Sequence, residues 1–221
     1  MTAPTTHAAS GGAGPAHAGG LAAVLAGHAR RVEGVLARPR LLVALLAAYL
    51  PFFVVYFFSG PIAFSLPHAA RACHGLPVLD QRWGYSEEGV ADYLHGCGLA
   101  GRAAITTQQD ADLVYPVLFA AVLTVAFALL LRALRLPERH WAHVLVLLPA
   151  ISAVADYTEN AGIRVLLVAY PHQPSIIPAM SLVTMVKLAT GWACMCVLVV
   201  LAAIAGIRRL RTGVTGTGSH V

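Results

Sequence analysis

Residues 113–131 read LVYPVLFAAVLTVAFALLL, 19 positions without a charged side chain. Wound as an α-helix, such a stretch is about 28 Å long, close to the thickness of a bilayer's hydrocarbon core. Inside lipid a segment must satisfy its own backbone polar groups, which selects the helix over an isolated strand. Pro116 falls in the first turn, where its missing N–H costs nothing. Three further apolar runs accompany this one: Leu41 to Phe58 with Pro51 inside it, Trp141 to Tyr170, and Ile177 to Ile207. Pro149 is expected to bend the third. The reading is an all-α protein, a four-helix transmembrane bundle over residues 41–207, with the lipid bilayer as its first partner.

Composition agrees. Of 221 residues 58% are hydrophobic and only 11% charged, against about 25% charged in soluble domains. The formal charge of +5 does not point to nucleic acid, because the basic residues sit in short clusters beside the apolar runs, as cytoplasmic membrane loops do. Those clusters are Arg30, Arg31, Arg38 and Arg40; Arg132, Arg135 and Arg139; and Arg208, Arg209 and Arg211. All three are expected on the cytoplasmic side of a plasma (inner) membrane, which places both termini inside. Forty residues precede the first apolar run, so it reads as an anchor and not as a cleaved signal peptide.

Residues 1–20 lack an apolar period and read as a disordered tail. Segment 21–40 carries Leu21, Val24, Leu25, His28, Val32, Val35 and Leu36 on one helical face. It is either an amphipathic helix lying on the cytoplasmic membrane surface or a solvated basic flank. Residues 208–221 form a cytoplasmic tail.

The loop 59–112 is too long for a plain connection. Ser86 followed by Glu87 and Glu88 marks a helix start, a polar cap with acids near the positive end of the dipole. Val90, Tyr93, Leu94 and Cys97 form one apolar face, Gly98 is a stop, and a second, polar helix is expected from Leu99 into the next span. The loop is therefore read as a small helical extracytoplasmic cap. Cys73 and Cys97 lie in it, on the oxidising side. A disulfide closing this loop would be worth about 3–4 kcal/mol on the entropy model. Free thiols, or a metal site with His74 and His95, are the alternatives. Cys194 and Cys196 are two apart on a helix and point in different directions. Trp83, Tyr85 and Trp141 read as interface aromatics.

Chemistry concentrates in the third and fourth spans. Asp156, Glu159 and Asn160 are three and four residues apart and share a helix face, which Ser152 and Ile163 extend. A charged side chain in mid-membrane costs roughly 2.5–3.5 kcal/mol on insertion scales, so such groups turn inward and find partners. Glu159 lies eleven residues before Tyr170, and Lys187 ten beyond Ile177. Both are thus about 15 Å below the outer surface. The short connection 171–176 makes the two helices antiparallel neighbours. Asp156, Glu159, Asn160 and Lys187 are therefore expected to form one buried polar cluster. Thr184, Gly191 and Cys194 on the lysine's face permit close approach. Arg164 either adds the missing positive charge or snorkels to the surface.

The series Gly84-Tyr85, Gly98, Gly101-Arg102, Asp112 and Pro116, with Asp156-x-x-Glu159-Asn160 and Thr184-x-x-Lys187, resembles a family of small four-span bacterial integral membrane proteins. The likeness covers about residues 41–207. It implies the four-span architecture and the site's location, with no activity or substrate attached.

Three functions fit these residues. In the first, a membrane enzyme or binding protein takes a lipophilic small molecule between the third and fourth spans. There Asp156 or Glu159 serves as acid or base, Asn160 orients, and Lys187 stabilises negative charge. The second is a proton-coupled transporter subunit, which with four spans requires a homo-oligomer. The third is a scaffold in which the cluster is a structural ion pair that sets helix register. No nucleotide loop, haem motif or strong metal motif appears, so no cofactor is expected.

Overall fold

The computed structural model describes residues 16–137, 140–172 and 174–215, with side chains from Val24 to Arg211. Residues 1–15 of the expected disordered tail, Arg139 of the second basic cluster and residues 216–221 lie outside the described residues. The described residues are mostly helical, with no strand among them.

Among the described residues seven α-helices follow in order: α1 (Ala16–Leu36), α2 (Pro39–Phe58), α3 (Leu66–Ala72), α4 (Glu87–Asp112), α5 (Tyr115–Leu134), α6 (Leu148–Ala169) and α7 (Ile177–Thr215). Short 3₁₀ helices cover Leu79–Gln81 and Trp141–Leu147. Four helical stretches are long and apolar enough to cross a membrane: Pro39–Phe58, Glu87–Leu134, Trp141–Ala169 and Ile177–Arg211. This is a multi-pass membrane protein. Val43, Leu50, Val54 and Phe58 on α2, and Val199, Val200 and Ile207 on α7, turn outward. That is the arrangement expected where the solvent is itself hydrocarbon.

Local signals explain the ends. Pro39, Pro116 and Pro149 each stand in the first turn of their helix. For Pro149 this is a correction: the third span changes from 3₁₀ to α at Leu148, and the proline opens the α segment instead of bending it in the middle. Ser86 caps α4 by accepting from Gly89 N at 3.1 Å. At Gly98 the backbone turns to φ +62°, which divides α4 into an apolar-faced half and a more polar half from Leu99. Val90, Tyr93, Leu94 and Cys97 are buried as the periodicity requires.

Apolar packing has separate centres. Phe127, Leu131, Val146, Cys194 and Leu201 gather where α5, α6 and α7 meet the Trp141–Leu147 turn. Val90, Tyr93, Leu94, Ile163, Leu166 and Ile177 join the cap to the other end of α6 and α7. Along α6 and α7, the polar residues fall between these centres. Helix α1 begins at Ala16, ahead of the expected Leu21, and packs on α5 and the Trp141–Leu147 turn. Its Ala29 is fully buried. Acceptors meet both nitrogens of His143 at this contact: Glu33 Oε2 lies 2.6 Å from Nδ1, and Pro137 O lies 3.1 Å from Nε2.

Candidate functional site

The inward face of α6 is the one its spacing defines. Ser152, Asp156, Glu159, Asn160 and Ile163 are all buried, while Thr158 between them is exposed. Helices α6 and α7 pack closely along their length, and Lys187 Nζ meets Glu159 Oε2 in an ion pair. Asp156 Oδ1 lies 3.8 Å from the same nitrogen. Glu159 has no exposed surface, and its other oxygen accepts from the Thr184 hydroxyl.

The cluster extends well beyond these two helices. Asp112, at the end of α4, accepts from the Tyr56 hydroxyl at 2.6 Å. Gln108 donates to the same hydroxyl and is itself fully buried. Asp80 reaches the group from the 3₁₀ turn Leu79–Gln81 and is 5% exposed. Four carboxyl groups, Asp80, Asp112, Asp156 and Glu159, therefore share Lys187. Burial, with the neighbouring Asp112 and Glu159 carboxylates adding to it, pushes the Asp80 carboxyl up to about 7, although the Lys187 ammonium works in the other direction. Other nearby cations are engaged elsewhere. Arg82 lies over the Tyr93 ring, Arg102 over the Tyr170 ring, and Arg164 pairs with Asp110 at the surface. Arg164 thus does not supply the missing charge.

The cap is fastened onto this site. Tyr85 N donates to Ser181 Oγ on α7 at 2.8 Å, and the Tyr85 hydroxyl lies 3.2 Å from Thr184 Oγ1. Gly84 makes this contact possible: its φ is +86°, and a Cβ there would come within 3.1 Å of Ser181 Oγ. Tyr85 is accordingly a partly buried member of the site, not the interface aromatic its type suggested. Trp83 and Trp141 are exposed. A disulfide joins Cys73 to Cys97 and ties α3 to α4. The thiols are thereby committed to each other, which removes the alternative of a metal site using them. Among the described residues, no three His, Cys, Asp or Glu side chains are placed to hold a metal ion.

A cavity of about 820 Å³ opens beside the cluster. Its polar floor is Asp80, Asp112, Asp156 and Lys187; Tyr49, Phe53 and Phe57 of α2 form one wall, and Leu188, Trp192 and Met195 of α7 the other. The opening does not lie between the third and fourth spans, where it was expected, because those helices are packed shut. It lies between α2 and α7, since α2 packs on α5 and α3 instead. Of the four expected site residues, Asp156 and Lys187 line the cavity, whereas Glu159 and Asn160 are buried behind them.

Sequence spacing therefore located the α6–α7 half of the cluster and missed Tyr56, Asp80 and Gln108. A usable signal was present: Gln108, Gln109 and Asp112 share one face of a helix leading directly into a span. No family model, curated protein or solved structure matches this chain.

Proposed function

We propose that this protein is an inner-membrane enzyme or binding protein, with both termini cytoplasmic, that takes a lipophilic small molecule into the cavity between α2 and α7. The observation that carries this reading is the cavity itself. It is within the roughly 300–1,000 Å³ range of small-molecule sites and combines apolar walls with a few convergent polar groups. Its aromatic and aliphatic sides suit a molecule arriving from lipid, and its charged floor suits a polar end.

The roles divide by position. Asp156 faces the cavity and is placed to exchange a proton with a bound molecule. Lys187 faces it too and can steady negative charge. Glu159, which accepts from Thr184, holds the lysine, and Tyr56, which accepts from Gln108, holds Asp112. A purely structural ion pair explains Glu159 with Lys187, but it gives no reason for three more carboxyls around an open cavity. A cluster with four carboxyls and one ammonium retains protons, which a transporter would also use. The aromatic and aliphatic walls favour binding of a lipophile over passage.

Native mass spectrometry of gently solubilised protein, wild type against Asp156→Asn, tests this. A discrete lipophile retained by the wild type and lost or altered in the variant is the expected result. Bulk phospholipid alone, identical in both, refutes the reading.

A further inference from the structure

The floor of the cavity is short of positive charge, with Lys187 the single ammonium among four carboxyl groups. Asp80, Asp112 and Asp156 line it and are each more than nine-tenths buried. Asp80 Oδ1, Asp112 Oδ2 and Asp156 Oδ1 make no well-aligned hydrogen bond; their nearest donors are the neutral amides of Gln108 and Asn160 beside Asp80 and Asp112, and the Lys187 ammonium beside Asp156. A buried acceptor left in this way is costly, and more so when charged. Lys187 does not fill the deficit, since its ammonium is drawn to Glu159 and stands 3.8 Å from Asp156. One ammonium cannot balance four carboxyl groups, and an ionised carboxylate only accepts, so the group that suits this floor is a donor carrying positive charge.

The walls point the same way. The Tyr56 and Tyr115 rings stack at 6.0 Å, and Phe57 meets Tyr115 edge-on at 5.3 Å, so aromatic rings stand beside the acids. Ring faces attract cations, more strongly where water is excluded. We infer that the cavity selects a lipophilic amine, an alkyl or polycyclic organic cation whose ammonium sits among Asp80, Asp112 and Asp156 while its apolar body lies between α2 and α7. An amine arriving neutral from the lipid takes its proton from the carboxyl group that holds one, leaving an ammonium–carboxylate pair and no net change of charge. This inference rests on the proposed binding of a lipophile in the same cavity.

A matched set of dodecyl chains, brominated near the tail and ended by ammonium, hydroxyl or carboxylate, separates the two claims. The Trp141→Phe protein in zwitterionic nanodiscs reports through Trp83 and Trp192, which line the cavity, with partition into empty nanodiscs subtracted. Saturable quenching by the ammonium at a concentration tenfold or more below that of the alcohol is expected. Asp112→Asn and Asp80→Asn should each remove most of that preference. Asp80 lies in the cap, outside the spans, so its variant keeps the test valid if Asp112→Asn fails to fold. Equal affinity for all three chains, or preference for the carboxylate, overturns the amine and leaves the lipophile site standing. No saturable quenching by any chain overturns both.

Discussion

Replacing Lys187 with methionine keeps most of the side-chain volume and removes the ammonium that Glu159 and Asp156 share. Glu159 has no exposed surface, and its remaining contact, Thr184, supplies one hydroxyl. Removing one partner of a buried pair typically costs about 3–5 kcal/mol, because the other charge is left uncompensated. For a chain of this size each kcal/mol moves the midpoint by about 2–4 °C, so Lys187→Met should unfold roughly 6–20 °C below the wild type. The double variant Lys187→Met/Glu159→Leu removes both charges together, and apolar replacement of a whole buried pair is often neutral or stabilising. Asp80, Asp112 and Asp156 lose the same ammonium, so the double variant should recover the part of the loss that belongs to Glu159. Thermal unfolding of all three proteins in one detergent, followed by tryptophan fluorescence, measures this. The pair reasoning fails if the single variant melts within about 2 °C of the wild type, or if the double variant melts no higher than the single. The recovered double variant also separates structure from function: it should be folded and unable to retain a lipophile, whereas a scaffold would lose nothing.

Three further outcomes follow from the geometry. Cys73→Ser/Cys97→Ser releases a closure of 24 residues and should cost about 3–4 kcal/mol, with hydrogen exchange rising over residues 66–86 while the α6–α7 contact stays protected. Asp80 titrates near 7 in the folded chain and near 4 when unfolded, so its folded state favours the protonated form. Wild-type stability relative to Asp80→Asn should accordingly be highest at about pH 4 and fall as pH rises through about 7; parallel pH–stability curves for the two proteins would refute this. Glu33→Gln or His143→Ala should loosen α1 from the Trp141–Leu147 turn, seen as faster proteolytic cleavage within residues 24–36. Unchanged cleavage would show that apolar packing around Ala29 alone holds the helix.

Much of this was legible in the sequence, and for local reasons. Span lengths, the Ser86 start, the Gly98 break and the shared face of Asp156, Glu159 and Asn160 depend on hydrophobicity and the 3.6-residue period, both of which can be read within a few turns. Even the Glu159–Lys187 contact was within reach, because a short connection fixes two antiparallel helices in register. Asp80 offered no such signal. Nothing in the surrounding loop says that it is drawn into the cluster, because that depends on the disulfide, on Gly84 closing against Ser181, and on how α3 and α4 dock. Tyr56 and Asp112 meet across 56 residues of chain for the same reason. The position of the cavity was decided at the same level. Hydropathy counts apolar faces and is silent about which pair of helices separates, and here α2 leans on α5 and leaves α7 uncovered. Sequence alone determined that this chain spans the membrane four times with charge buried in its last two spans. Packing of the cap and the docking of α2 on α5, set by contacts between residues far apart in the chain, decided that this charge forms the floor of an open cavity.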